Sequence, residues 1–157
     1  MKKIKGENVF LLVDPILISD QIKDILNKSK NTQVYSLFEG TINSHIDFFS
    51  SPLLLNYKKL NDSELDSIVD LCVQTKSALS IFSSKEKIDK KIAILKRMMF
   101  PIVNEKIQFF RFYEFMYFSK LDEIFDNNEI YKSFIELYLL VDDYKSFEAN
   151  YIFKRVI

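Results

Sequence analysis

Five consecutive apolar residues, Val9-Phe10-Leu11-Leu12-Val13, run without a polar break and stop at Asp14-Pro15. Successive side chains of a strand point to opposite faces, so an unbroken run suits a strand covered on both. The run is short for a buried helix. It therefore calls for a strand inside a sheet, with other elements packed above and below it. Pro15 marks its end, because proline cannot donate to a ladder.

Helix-like and strand-like segments alternate after that point. Ser19 is placed to cap a helix that carries Ile18, Ile22, Ile25 and Leu26 on one face. Val34-Tyr35-Ser36-Leu37-Phe38 reads as a second strand closed by Glu39-Gly40, and a short helix is expected over 44–49. Pro52-Leu53-Leu54-Leu55-Asn56-Tyr57 reads as a third strand. Residues 61–73 read as a helix, with Leu65, Ile68, Val69 and Cys72 at helical spacing. Ala78-Leu79-Ser80-Ile81-Phe82 is a further strand. Ser83 with Glu86 forms a capping-box pattern before a helix whose stripe is Ile88, Ile92, Leu95 and Met99. Pro101 ends that helix. A hairpin is expected around Asn104-Glu105, from Ile102-Val103 to 106–112, and then a helix over 114–125. Residues 133–141 and 147–156 read as a terminal antiparallel hairpin around Asp142-Asp143-Tyr144-Lys145, with a helix over 127–140 as the competing reading. The fold class expected is α/β (α+β): a mixed β-sheet flanked by helices, in a single compact domain over 1–157 with a C-terminal β-hairpin.

Composition removes several function classes. The chain has 157 residues, with 22 Lys plus Arg against 22 Asp plus Glu. That balance argues against a nucleic-acid partner and against attraction to an anionic membrane. One cysteine, Cys72, and one histidine, His45, make an internal disulfide impossible and leave too few ligands for a Cys/His zinc site. Two glycines cannot build a Walker loop or a dinucleotide fingerprint. No segment approaches the roughly 20 apolar residues of a membrane span, and the apolar run after the basic Met1-Lys2-Lys3 start is too short for a signal-peptide core. The chain reads as cytoplasmic, with no cofactor and no metal.

Each candidate residue has a functional and a structural reading. Asp14 follows a buried strand, where open sheets place ligand groups; a turn aspartate that accepts backbone hydrogen bonds is favoured. His45 lacks a nucleophile in a local motif, which favours a surface or structural histidine. Cys72 falls on an apolar stripe and reads as a buried inert thiol. The lysines of 85–97, Lys91 among them, read as a solvated face rather than an RNA or phosphate surface, because no aromatics are interleaved with them. Arg111 sits in Phe109-Phe110-Arg111-Phe112-Tyr113. A buried arginine must be paired, so an internal bridge to a carboxylate such as Asp14 or Glu39 is favoured over a ligand clamp, with loss of one partner costing about 3–5 kcal/mol.

Five features then occur in order: Val13-Asp14 ending a strand, Leu37-Phe38-Glu39-Gly40-Thr41, Ser51-Pro52-Leu53-Leu54, a strand ending at Ser83-Ser84 before a charged helix, and Phe110-Arg111-Phe112-Tyr113-Glu114. The series, over about 9–125, resembles the domain of the type VI secretion adaptor-chaperones, which load a toxin effector onto the VgrG spike. The chain differs in carrying Glu114-Phe115 where that family usually has Asp-Pro. It has no tryptophan before the serine-ended strand, and it lacks the helical C-terminal lobe of many members. The resemblance implies a non-catalytic adaptor whose partners are an effector and VgrG. It implies that Asp14, Glu39, Gly40, Pro52, Arg111, Phe112 and Tyr113 maintain the fold or shape a binding surface. Two other readings stand beside it: a small hydrolase or phosphotransfer enzyme using Asp14, Glu39 and Arg111, and a toxin-immunity protein.

Overall fold

The computed structural model describes residues 8–29, 32–114, 117, 120, 134–143 and 150–156, which fall into two compact units. Both are α+β, and the strand pairings within each are antiparallel.

The first unit spans residues 9–79. Strand β1 (Asn8–Val13) has every residue from Val9 to Val13 buried, as its unbroken apolar run requires. Helix α1 (Ser19–Lys28) turns Ile22 and Leu26 inward. Its N-cap is Ile18, so Ser19 is the first helical residue and its side chain makes no cap. Strand β2 (Val34–Ser36) is shorter than expected, because the chain bends at Leu37-Phe38, although both stay buried. In place of the helix expected over 44–49 there is a 3₁₀ turn, Phe48–Ser50, capped by Asp47. Strand β3 (Leu53–Asn56) lies between β2 and β1, pairing Leu54 with Tyr35 on one side and with Leu12 on the other.

Helix α2 (Asp62–Thr75) opens with a capping box. The Glu64 amide donates to Asn61 Oδ1, and the Asn61 amide donates to Glu64 Oε2, each at 2.9 Å. It closes on Lys76 at φ 55°, with the Lys76 amide donating to the Val73 carbonyl and the Ser77 amide to that of Cys72. This is the Schellman arrangement, built here without glycine. Ile68 and Cys72 are its buried residues. Burial of each large aliphatic side chain contributes roughly 1.5–3 kcal/mol.

The second unit holds Asn8 and the described residues from Ser80 onward. Strand β4 (Leu79–Ser84) pairs with β7 (Phe134–Asp143), and β7 pairs with β8 (Asn150–Arg155) in unbroken register from Tyr138↔Arg155 to Asp143↔Asn150. The terminal hairpin is thus present, and Asp142 and Asp143 extend its first strand. Residues 144–149, where part of the turn was expected, lie outside the described set, as does most of the helix expected over 114–125.

Helix α3 (Ile88–Met99) corrects two expectations. Ser83 belongs to β4 and is fully buried, so it caps nothing; Ser84 Oγ accepts from the Glu86 amide at 3.0 Å, and the helix starts at Ile88. Lys91, expected on a solvated face, is completely buried with Leu95, Met98 and Met99. Short strands β5 (Ile102–Val103) and β6 (Lys106–Ile107) follow, joined through Asn104 and Glu105 at φ 50° and 61°. Two successive positive φ values mark a type I′ turn, whose twist matches that of the flanking strands. Among the described residues no helix is long and apolar enough to cross a membrane.

Candidate partner-binding surface

Most motif residues of the first unit form a buried scaffold, with Glu39 and Gly40 at the surface. Asp14 ends β1 with its side chain buried. Its Oδ1 accepts from the Ile16 amide at 3.3 Å, and its own amide donates to the Ala78 carbonyl at 3.0 Å. It is the turn aspartate of the structural reading. Burial, with the nearby Asp14 charge, pushes the Cys72 thiol up to about 12, so the thiol is inert at neutral pH.

Two further motif segments are tied together by hydroxyls. Ser36 Oγ and Ser51 Oγ lie 2.7 Å apart, and the Phe38 amide donates to Ser36 Oγ at 3.2 Å. Ser51 Oγ donates to the Phe48 carbonyl, while the Leu37 amide donates to the carbonyl of the buried Pro52. Leu37-Phe38 is thereby fixed against Ser51-Pro52, and the tight turn into Thr41 follows. Gly40 takes φ 70° in that turn, the left-handed region that favours glycine. Glu39 and Gly40 are exposed.

In the second unit Phe112 and Tyr113 are buried, edge to face at 5.5 Å. Arg111 is not buried as expected. Its side chain is 38% exposed, and its Nε lies 2.7 Å from Glu114 Oε1. The carboxylate facing it is its neighbour three residues on, in place of Asp14 or Glu39. The guanidinium also lies 5.9 Å from the Tyr113 ring. The dense aromatic stretch suggested burial, but the chain turns at Phe112-Tyr113 and only those two rings go inside. His45 is exposed.

Lys91 was missed as a special residue, although its spacing carried the signal. It lies three residues after Ile88 and four before Leu95, on the apolar stripe of its own helix.

No cluster of three or more metal-ligating side chains occurs among the described residues. What the surface does offer is large apolar side chains: Ile16, Leu17, Ile42 and Phe48 in the first unit, and Ile102, Ile107, Phe109 and Tyr117 in the second. Asp14, Pro52, Phe112 and Tyr113 serve the interior, Glu39 and Gly40 form an exposed turn, and Arg111 makes a half-exposed local ion pair.

No curated protein and no solved structure matches the chain at a significant level. Residues 9–132 match the family described as a domain of unknown function, DUF4123, and because that span covers most of the 157 residues, the chain belongs to the DUF4123 family.

Proposed function

We propose that the chain is a non-catalytic cytoplasmic adaptor that holds a type VI secretion effector and helps to load it onto the VgrG spike. One observation carries the reading. Most of the motif residues that resemble the adaptor-chaperones, Asp14, Pro52, Phe112 and Tyr113 among them, build buried scaffold, while bulky apolar side chains stand in solvent at Ile16, Leu17, Ile102, Ile107 and Phe109. Bulky apolar and aromatic side chains supply much of the energy of protein interfaces. Membership of the DUF4123 family over residues 9–132 is consistent with the resemblance. Two of the motif carboxylates serve structure in the same picture: Asp14 caps a turn and Glu114 holds Arg111.

The test is a secretion assay in a strain lacking this gene, with tube protein and effector both followed in the medium. Selective loss of one effector, restored by complementation, supports the adaptor role. Loss of both identifies a component of the machine itself, and loss of neither overturns the proposal.

A further inference from the structure

The ladder of the β5–β6 hairpin extends beyond its two short strands. The Gln108 amide donates to the Pro101 carbonyl at 3.0 Å and the Phe110 amide to the Met99 carbonyl at 2.7 Å, in the register that pairs Ile102 with Ile107. The pairing therefore continues past the two strands, reaching back to Met99, where α3 ends, and forward to Phe110. Alternation along it places the pairs Phe100/Phe109 and Ile102/Ile107 on one face, at positions where side chains approach most closely. The Phe100 and Phe109 rings are in contact, centroids 5.6 Å apart. Four bulky apolar residues thus share one face, with Ile102 74%, Ile107 52% and Phe109 44% exposed.

We infer that this face of the ribbon is a docking site for one amphipathic helix, contributed by the protein that the chain carries. That the helix belongs to a carried protein rests on the adaptor reading. The choice of occupant rests on area and spacing. The exposed apolar surface here is on the order of 300 Å². A stable pair of folded copies needs about 800 Å² per partner, so two ribbons stacked through this face fall well short. The four side chains stand at the corners of a patch about 4.8 Å across the strands and about 6.8 Å along them. A helix offers apolar neighbours at i, i+3 and i+4 about 5–6 Å apart, a ridge that fits such a patch. A strand added to the ribbon edge would leave this face in water.

A fluorescein-labelled synthetic helix of about 18 residues, five turns, tests the site. It carries one leucine stripe and balanced Glu and Lys elsewhere, and it is titrated into the full chain by anisotropy. Saturable binding is expected, weakened at least about tenfold in Ile102→Asp/Ile107→Asp. Ser44→Asp/Gln74→Asp, which adds the same charge at two exposed polar residues of the first unit, should bind as wild type. Circular dichroism melts check both variants, and Ile102→Thr/Ile107→Thr, whose residues favour strands, replaces the charged pair if that variant melts early. Absence of binding by wild type, equal loss in both pairs, or a wild-type dimer in sedimentation that the ribbon variant abolishes would overturn the inference. The titration contains no effector. Intact peptide binding with undisturbed effector delivery in the deletion strain would therefore sink the adaptor reading alone.

Discussion

The ammonium nitrogen of Lys91 lies 3.1 Å from the centroid of the Phe134 ring and 5.1 Å from that of Phe82. The two rings meet edge to face at 5.2 Å, one from β7 and one from β4. The lysine is fully buried on α3, so three elements of the second unit converge on one cation. Aromatic faces attract a desolvated ammonium by about 2 kcal/mol or more. Burial works against the charge more strongly and lowers the Lys91 pKa to about 7, with Glu86 opposing the shift.

A pH dependence of stability follows. The folded chain releases the Lys91 proton near pH 7, whereas the unfolded chain holds it to about 10.4. Between those values the unfolded state binds more protons, so stability rises with pH across that window and is flat with respect to this group below it. The whole contribution is on the order of 4 kcal/mol. Urea unfolding at pH 6, 8 and 10 should show the rise in wild type. In Lys91→Met, which keeps the volume and drops the charge, the rise should be largely gone and stability at pH 6 higher. An unchanged slope in the variant would assign the pH dependence to other groups.

Arg111 should matter far less than a buried arginine. Its partner Glu114 is near in sequence, and the pair keeps partial contact with solvent, at 38% and 23% exposure, although Arg111 Nε itself is covered. Such pairs contribute about 0–1 kcal/mol and weaken with salt. Arg111→Ala is expected to cost about 1 kcal/mol, including the lost contact with the Tyr113 ring. A loss of about 3 kcal/mol or more in denaturant unfolding, the scale of a broken buried pair, would contradict this placement.

These two residues show what could be read in the sequence. The strand at Val9-Phe10-Leu11-Leu12-Val13, the ribbon turn at Asn104-Glu105 and the terminal hairpin, its first strand read at 133–141, were legible, because local patterning and turn chemistry dictate them. The continuation of that strand through Asp142 and Asp143, read as turn, was not. The turn role of Asp14 was legible for the same reason. The environments of Lys91 and Arg111 were not, since both depend on tertiary packing. Lys91 sits on an apolar stripe that its charge disguised, and Arg111 sits among aromatic neighbours that the chain reversal at Phe112-Tyr113 separates. The docking ribbon was seen only as a hairpin, because exposure of Ile102 and Ile107 is a tertiary property.

Among the described residues of the first unit, the left-handed positions Lys76 and Gly40 should respond in opposite directions. Lys76, at φ 55°, closes α2 in a conformation that disfavours a Cβ. Its side chain is exposed, so Lys76→Gly removes strain and is expected to stabilise by about 0.5–1 kcal/mol. Gly40 sits at φ 70°, and an added Cβ would meet no atom within 4 Å. Gly40→Ala therefore carries the backbone cost alone, about 1–2 kcal/mol. Thermal melts of the two variants should move in opposite directions.

Two buried serines should also part company. Ser36 Oγ accepts from the Phe38 amide and pairs with Ser51 Oγ, so Ser36→Ala leaves a buried amide without its acceptor. Loss of a satisfied buried partner costs about 1–3 kcal/mol. Ser83 lies on β4 opposite Glu136, but the acid's carboxylate is 3.6 Å from Arg155 on β8. Ser83 Oγ is fully buried with no hydrogen-bond partner among the described residues. Its desolvation cost is therefore not offset, and Ser83→Ala should be neutral or stabilising by up to about 1 kcal/mol. Both side chains shrink by one oxygen, so the cavity left behind is similar and the difference isolates the hydrogen bonds. Guanidinium unfolding of the two variants, compared at matched slopes, checks the sign. Destabilisation of Ser83→Ala by as much as Ser36→Ala would mean that a bound water or ligand holds the Ser83 hydroxyl in solution.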